Sequence, residues 1–217
     1  MNSLHQIYAL IKSEFVDCFR SASDILSAIY FAVIGLLIFH IAVGPSQIAP
    51  KYFTALLYTV QIFAGMMIGS NLFERDFKTG FIAKLITSGF EASSICIAKY
   101  IFFVLYSLLI FAVSILLSVL WYDVSTDLLI SHATVYSVYI AGYCAVTMML
   151  SLLSMLCANK MGLFVIAFPF TAPLIMIATL AVEEAQYVQI LLGLFFVYFA
   201  VLLTSFRALV FGIAKAF

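Results

Sequence analysis

The chain is predicted to be all-α, a polytopic integral membrane protein with six transmembrane helices preceded by an N-terminal amphipathic interfacial helix. Three observations predict this. Of the 217 residues, 66% are hydrophobic and 9% charged, against about 45–50% apolar and about 25% charged in a soluble domain. The apolar residues fall in runs close to the roughly 20 residues that a helix needs to cross a bilayer core of about 30 Å. The basic residues divide unevenly among the gaps between those runs. With mean hydropathy at +1.21, a soluble core of this size cannot bury so much apolar side chain, so the solvent is lipid.

Residues 3–20 come first. Leu4, Ile7, Tyr8, Ile11, Phe15 and Phe19 recur at helical spacing, with Lys12, Glu14, Asp17 and Arg20 between them. This is the pattern of a helix lying in the interface. The same charges break the first apolar stretch, and no small-residue cleavage site follows, so a signal peptide is not expected. Spans are expected near 25–43, 52–73, 97–120, 132–157, 161–182 and 188–211. Gly44-Pro45 closes the first, and the charged segment from Glu74 to Lys84 separates the second and third. Asp123 and Asp127 follow the third, Asn159-Lys160 the fourth, and Glu183-Glu184 the fifth.

Orientation follows from the cations. With both termini in the cytoplasm, the inner side or helix ends hold Lys12, Arg20, Arg75, Lys78, Lys84, Lys99, Lys160, Arg207 and Lys215, and the outer side holds only Lys51. The outer loops are short, so the whole chain reads as one permease-like domain with no extracellular unit. Net charge is zero, which leaves no basic field for nucleic acid. Cys18, Cys96, Cys144 and Cys157 show no CxxC or CxxCH spacing, so neither a disulfide framework, a metal site nor covalent haem attachment is expected. Ionisable residues within the spans are nearly absent. That counts against a proton relay and against an intramembrane protease, so no catalytic residue is assigned.

The richest polar segment is Phe73-Glu74-Arg75-Asp76-Phe77-Lys78-Thr79-Gly80-Phe81-Ile82-Ala83-Lys84-Leu85, between spans two and three. It mixes dense charge with apolar side chains and one Gly that can end or turn a helix. Such a helix can lay its apolar residues into a groove on a cytoplasmic partner, with the charges at the rim; the plainer reading is a solvated connector whose charges fix topology.

This cluster, placed after span two, resembles the first cytoplasmic loop of ABC-2-type transporter permeases. The whole chain is similar to a narrower family. Glu14, Phe19 and Arg20 precede span one, and Gly44-Pro45 closes it. Phe73-Glu74-Arg75-Asp76 with Thr79-Gly80 forms the loop, and Ala98-Lys99 opens span three. Phe168-Pro169-Phe170-Thr171-Ala172-Pro173-Leu174-Ile175 lies in span five. This series resembles the cytochrome c maturation protein B family, the haem exporter B subunits. The run Gly80-Phe81-Ile82-Ala83-Lys84 departs from the family's usual loop continuation, with no acid at position 83 and Ser88-Gly89 where proline is common.

The resemblance implies a permease subunit in a bacterial inner membrane that pairs with a separate cytoplasmic ABC ATPase and a haem-handling membrane protein. ATP hydrolysis by the partner would serve haem delivery, or release of the haem-loaded chaperone, on the periplasmic side. Haem would be handled as substrate, with no tightly bound cofactor. The ATPase contact would fall on Glu74, Arg75, Asp76, Lys78, Thr79 and Gly80 within the coupling loop 74–90. The residues support half of this independently, because the chain contains no G-x-x-x-x-G-K-[ST] phosphate loop. An ABC-2 permease for a lipid-linked glycan or a drug, and a non-transporting membrane scaffold, are the rival readings.

Other residues bear on mechanism. Pro169 and Pro173 lie one turn apart in span five and strip the usual partners from two carbonyls, as a hinge or as a packing kink. Gly65 and Gly69 form a GxxxG in span two, which suits close helix contact within the chain, or a seam between two copies in a homodimer or other permease assembly. His40 and His132 fall near outer helix ends, where they are candidate haem contacts, although polar groups tolerated at the interface or capping neighbouring backbone are the stronger explanation. Tyr139, Tyr143, Thr147, Ser151 and Ser154 line span four at helical spacing, most simply as helix-to-helix hydrogen bonding.

Overall fold

The computed structural model describes residues 3–20, 22–43, 50–69, 72–122, 126–156 and 160–216. Among these residues there is no strand. In chain order the helices are α1 (Ser3–Arg20), α2 (Ala22–Val43), α3 (Pro50–Gly69), α4 (Glu74–Lys78), α5 (Phe81–Thr87), α6 (Ala92–Tyr122), α7 (Thr126–Leu156), α8 (Lys160–Glu183) and α9 (Gln186–Ala216). The Gly44-Pro45 turn, Asp123 and Asn159 lie outside the described residues, as do the side chains of Phe19, Arg20, Lys51, Asp127, Ser154, Lys160 and Lys215.

Among the described residues three helices are long and apolar enough to cross a membrane: α6 over Ala92–Trp121, α7 over Ile130–Leu153 and α9 over Gln186–Gly212. In α2, α3 and α8 the apolar stretches among described residues are shorter, at Leu26–Ala42, Phe53–Met66 and Phe168–Glu183. Helix α6 starts at Ala92, ahead of the expected 97, because nothing in Ala92-Ser93-Ser94 stops a helix and the Ile95 amide already donates to Glu91 O at 3.1 Å.

The bundle is organised around α7, which packs along α9, α8, α6 and α3, while α2 lies on α3 and α6 and α1 lies on α6. Of the three long apolar helices, α7 is the most enclosed, with 78% of its most apolar stretch buried, and α9 the least, with 11%. Phe196, Val197, Val201 and Phe211 of α9 stay exposed, as do Ile34, Ile38 and Ile41 of α2. A rim of this kind suits hydrocarbon on its outer face.

The α3–α7 contact is set by small residues. Any side chain at Gly65 would run into the Tyr143 hydroxyl, and one at Gly69 into Thr147 Cγ2. The GxxxG stripe is therefore used inside the chain, against α7. Along this contact Tyr58, Tyr136, Tyr139 and Tyr143 are fully buried. Tyr139 stacks on Tyr58 at 4.5 Å and Tyr136 on Phe111 at 3.3 Å between ring centroids. Three of the four tyrosine hydroxyls donate to backbone carbonyls: Tyr139 to Tyr58 O at 3.2 Å, Tyr143 to Ile62 O at 3.4 Å and Tyr136 to Ser107 O at 3.3 Å. Gln61 Nε2 reaches the same Ser107 carbonyl at 3.0 Å. Helix-to-helix hydrogen bonding thus accounts for Tyr139 and Tyr143, and Ser151 Oγ accepts from the Phe73 amide at 3.4 Å.

Candidate functional site

The segment between α3 and α6 folds as two short helices around Gly80, whose φ of +68° only glycine adopts readily. A second left-handed glycine, Gly89 at φ +86°, ends α5. There the Gly89 amide donates to Ile86 O and the Phe90 amide to Leu85 O, both at 3.0 Å, in the pairing of a Schellman cap. Phe73 and Ile82 are fully buried. Phe77, Leu85, Ile86 and Phe90 pack against the core as well. The apolar side chains of this segment therefore anchor it to its own bundle. Outward it presents Arg75, Lys78, Thr79 and Lys84, all exposed. Lys78 Nζ pairs with Glu74 Oε1 at 2.6 Å, one helical turn back, a solvated pair of little energetic weight.

Asp76 points the other way. Its Oδ2 lies 2.5 Å from Lys99 Nζ, and the same ammonium lies 2.6 Å from Glu14 Oε1. Lys99 is 3% exposed, so it does not snorkel to water as its place near a helix end suggests. Nζ also reaches Leu72 O at 3.4 Å and sits 5.7 Å over the Phe73 ring. One cation thus joins α1, α4 and α6. Burial pushes the Glu14 carboxyl above its usual range, and Lys99 pulls it back down. A second fastening lies at the far end of the loop, where Gln6 Nε2 donates to Gly89 O at 3.2 Å and Gln6 Oε1 accepts from the Glu91 amide at 3.4 Å.

Helix α1 is consequently turned otherwise than its apolar pattern suggests. Gln6 and Leu10 are buried and Glu14 is half-buried, one helical face apart by fours, while Leu4 and Tyr8 are 78% and 67% exposed. Gln6 and Glu14 dock the helix together with Leu10, Ile7 and Ile11, while Leu4 and Tyr8 are left for the lipid interface. Phe15 is shared, meeting the Phe102 ring edge-on at 5.3 Å.

The chain matches the family model for CcmB protein over residues 5–217. The chain belongs to the CcmB family. No curated protein matches it. Family membership implies a membrane permease subunit of an ABC-type haem export system acting in cytochrome c biogenesis, and not a catalytic enzyme.

Against this CcmB frame the remaining candidates separate. Pro169 and Pro173 lie inside an unbroken α8. Beside them, Tyr198 Oη of α9 donates to Phe170 O at 3.2 Å and Thr171 Oγ1 to Phe168 O at 3.3 Å. Neither bond reaches the carbonyls at positions 165 and 169, the ones that lose their amide partner to a proline four residues on. His132 is fully buried, with Nε2 at 3.3 Å from Thr54 Oγ1 and the Phe53 and Tyr58 rings edge-on at 5.7 and 6.0 Å. His40 is half-buried beside Trp121, with ring centroids 6.0 Å apart. Among the described residues no cluster of His, Cys, Asp and Glu is placed to hold a metal ion.

Sequence reading missed Lys99, Gln6 and the inward role of Glu14. The signal for Lys99 was present: an ionisable residue within an apolar helix marks a site by default.

Proposed function

We propose that this chain is the six-span permease subunit of an ABC-type haem exporter, with both termini in the cytoplasm of a bacterial inner membrane. In this reading α2, α3, α6, α7, α8 and α9 are the spans, and α1 lies at the cytoplasmic surface. A separate ATPase docks on the outward face of α4 and α5, at Arg75, Lys78 and Thr79, with Gly80 shaping the turn and Glu74 and Asp76 held behind it. Hydrolysis there moves the loop, and the spans carry the motion to the periplasmic side, where a haem-handling membrane partner delivers haem or releases a loaded chaperone. Haem is substrate in this scheme, and His40 beside Trp121 is the more open of the two histidine contacts. With the Gly65–Gly69 stripe occupied by α7, a second copy in a homodimer would meet the chain on another face, and exposed α9 offers one.

The observation that carries the reading is the fastening of the α4–α5 loop to α1 and α6 through Lys99. A connector that only fixes topology needs no buried ion pair. The test is co-purification in mild detergent from the native host, with and without Arg75→Ala, Lys78→Ala and Thr79→Ala together. Recovery of an ATPase with the wild-type chain, and its loss in the triple variant, supports the reading. Recovery of no ATPase from a host with an intact c-type cytochrome pathway sinks it.

A further inference from the structure

The loop between α3 and α6 is gripped by α1 at both of its ends. At its start, Asp76 and Glu14 share the Lys99 ammonium at 2.5 and 2.6 Å. At its finish, Gln6 bonds the Gly89 carbonyl and the Glu91 amide at 3.2 and 3.4 Å. Elsewhere among the described residues, the core helices meet through apolar side chains and neutral donors such as the Tyr136, Tyr139 and Tyr143 hydroxyls and the Gln61 amide. Charge is thus concentrated where one loop, one surface helix and one long apolar helix meet. A buried ammonium between two half-buried carboxylates is a costly way to hold helices together, and well-packed neutral residues do it as well or better. What an ion set adds is register: each group is stabilised only while the others stay in place. The joint also reaches further, since the Phe73 ring beneath Lys99 packs on Phe206 of α9 at 5.2 Å.

We infer that Lys99 is a positioning residue for coupling: by holding Glu14 and Asp76 together it makes α1 and the α4–α5 loop one rigid body on α6, so that displacement of the loop is delivered to the spans and not lost in the connector. The inference rests on the reading that an ATPase acts on this loop, and it adds that α1 moves with the loop. Asp76 is then a structural member of the lever and not part of the surface that the ATPase touches.

The test has two arms. The first needs no function. Leu10 faces the core of the docked α1 at 6% exposure, so Leu10→Cys in native membranes should react slowly with a permeant maleimide, read at that residue by mass spectrometry. Adding Lys99→Met should speed labelling on the order of tenfold or more, because the two carboxylates lose their shared cation, and Lys99→Arg should restore slow labelling. An unchanged rate in Lys99→Met overturns the inference. The second arm reads holo-cytochrome c yield and co-purified ATPase activity. Lys99→Met is expected to keep the ATPase bound and hydrolysing while holo-cytochrome c falls on the order of tenfold. The neutral set Glu14→Gln, Asp76→Asn and Lys99→Met leaves no unpaired buried charge, so it should fold normally yet remain as deficient. Full maturation by that neutral set overturns the inference. Failure of the wild-type chain to bring down any ATPase strikes the proposed function alone, and the labelling arm still decides whether Lys99 holds α1.

Discussion

Two polar interiors lie in this bundle, and they are built from opposite chemistry. Between α3, α6 and α7 the buried polar groups are hydroxyls, an amide and aromatic rings. Tyr139, Tyr143 and Tyr136 add their donors to carbonyls of neighbouring helices. Those carbonyls sit in helices with backbone partners of their own, so each added bond is a supplement. At the joint of α1, α4 and α6 the groups are ions, and Glu14, Lys99 and Asp76 have little besides one another. The neutral column can lose a member and stay packed. The ionic joint cannot, because deleting one partner leaves the others buried and uncompensated.

Four substitutions sharpen or break that contrast. The largest effect should come from neither set of polar groups but from the small residue that lets the column form. Gly65→Leu places a side chain where the Tyr143 hydroxyl stands. It should abolish recovery of monodisperse protein in detergent, and normal recovery would show that α3 and α7 are less closely joined than described. Next, Lys99→Met should lower stability by about 3–5 kcal/mol, the range for breaking a buried ion pair from one side. Thermal unfolding in detergent reads it, and a shift no larger than that of a surface lysine such as Lys84 would remove the distinction between the two interiors. Gly89→Ala comes third. It sets a Cβ at φ +86° and should cost about 1–2 kcal/mol. With open space around that position, the cost is one of backbone alone, so Gly89→Asn should lose less. The smallest is Tyr139→Phe, which removes one neutral interhelical bond and should cost about 0.6–1 kcal/mol in the same assay. A loss near that of Lys99→Met would mean that the column is a cooperative network.

The contrast also separates what was legible in sequence from what was not. Local signals reported well. Gly80 was read as a turn, and it sits between two short helices in the left-handed region. Tyr139 and Tyr143 were read as interhelical donors, and they are. Gly65 and Gly69 left two readings open, and the Tyr143 hydroxyl against Gly65 decides between them. The joint was not legible, because its members are far apart in the chain: Glu14 and Lys99 are 85 positions from each other. Periodicity was also silent on which side of α1 meets the bundle. An amphipathic pattern tells which residues share a face, but in a membrane either face can be the one that docks. Here Gln6, Leu10 and Glu14 dock while Leu4 and Tyr8 do not. The charged loop was open to two readings, a partner-docking surface or a solvated connector. On the first of these its apolar residues would enter a partner's groove, and Phe73 and Ile82 are instead spent on the bundle's own core.

The distance between α1 and its partners has a consequence for how the molecule is made. Gln6 waits for Gly89, 83 residues downstream, and Glu14 waits for Lys99. During synthesis α1 leaves the ribosome well before the residues that seat it. Until α6 has been threaded into the bilayer, Gln6 and Glu14 must stay hydrated, and the exposed Leu4 and Tyr8 are what can keep the helix at the lipid surface meanwhile. A nascent chain arrested before Lys99 should carry an undocked α1, and one arrested after α6 a seated one. Seating of α1 would then report that the first half of the protein has been inserted the right way round.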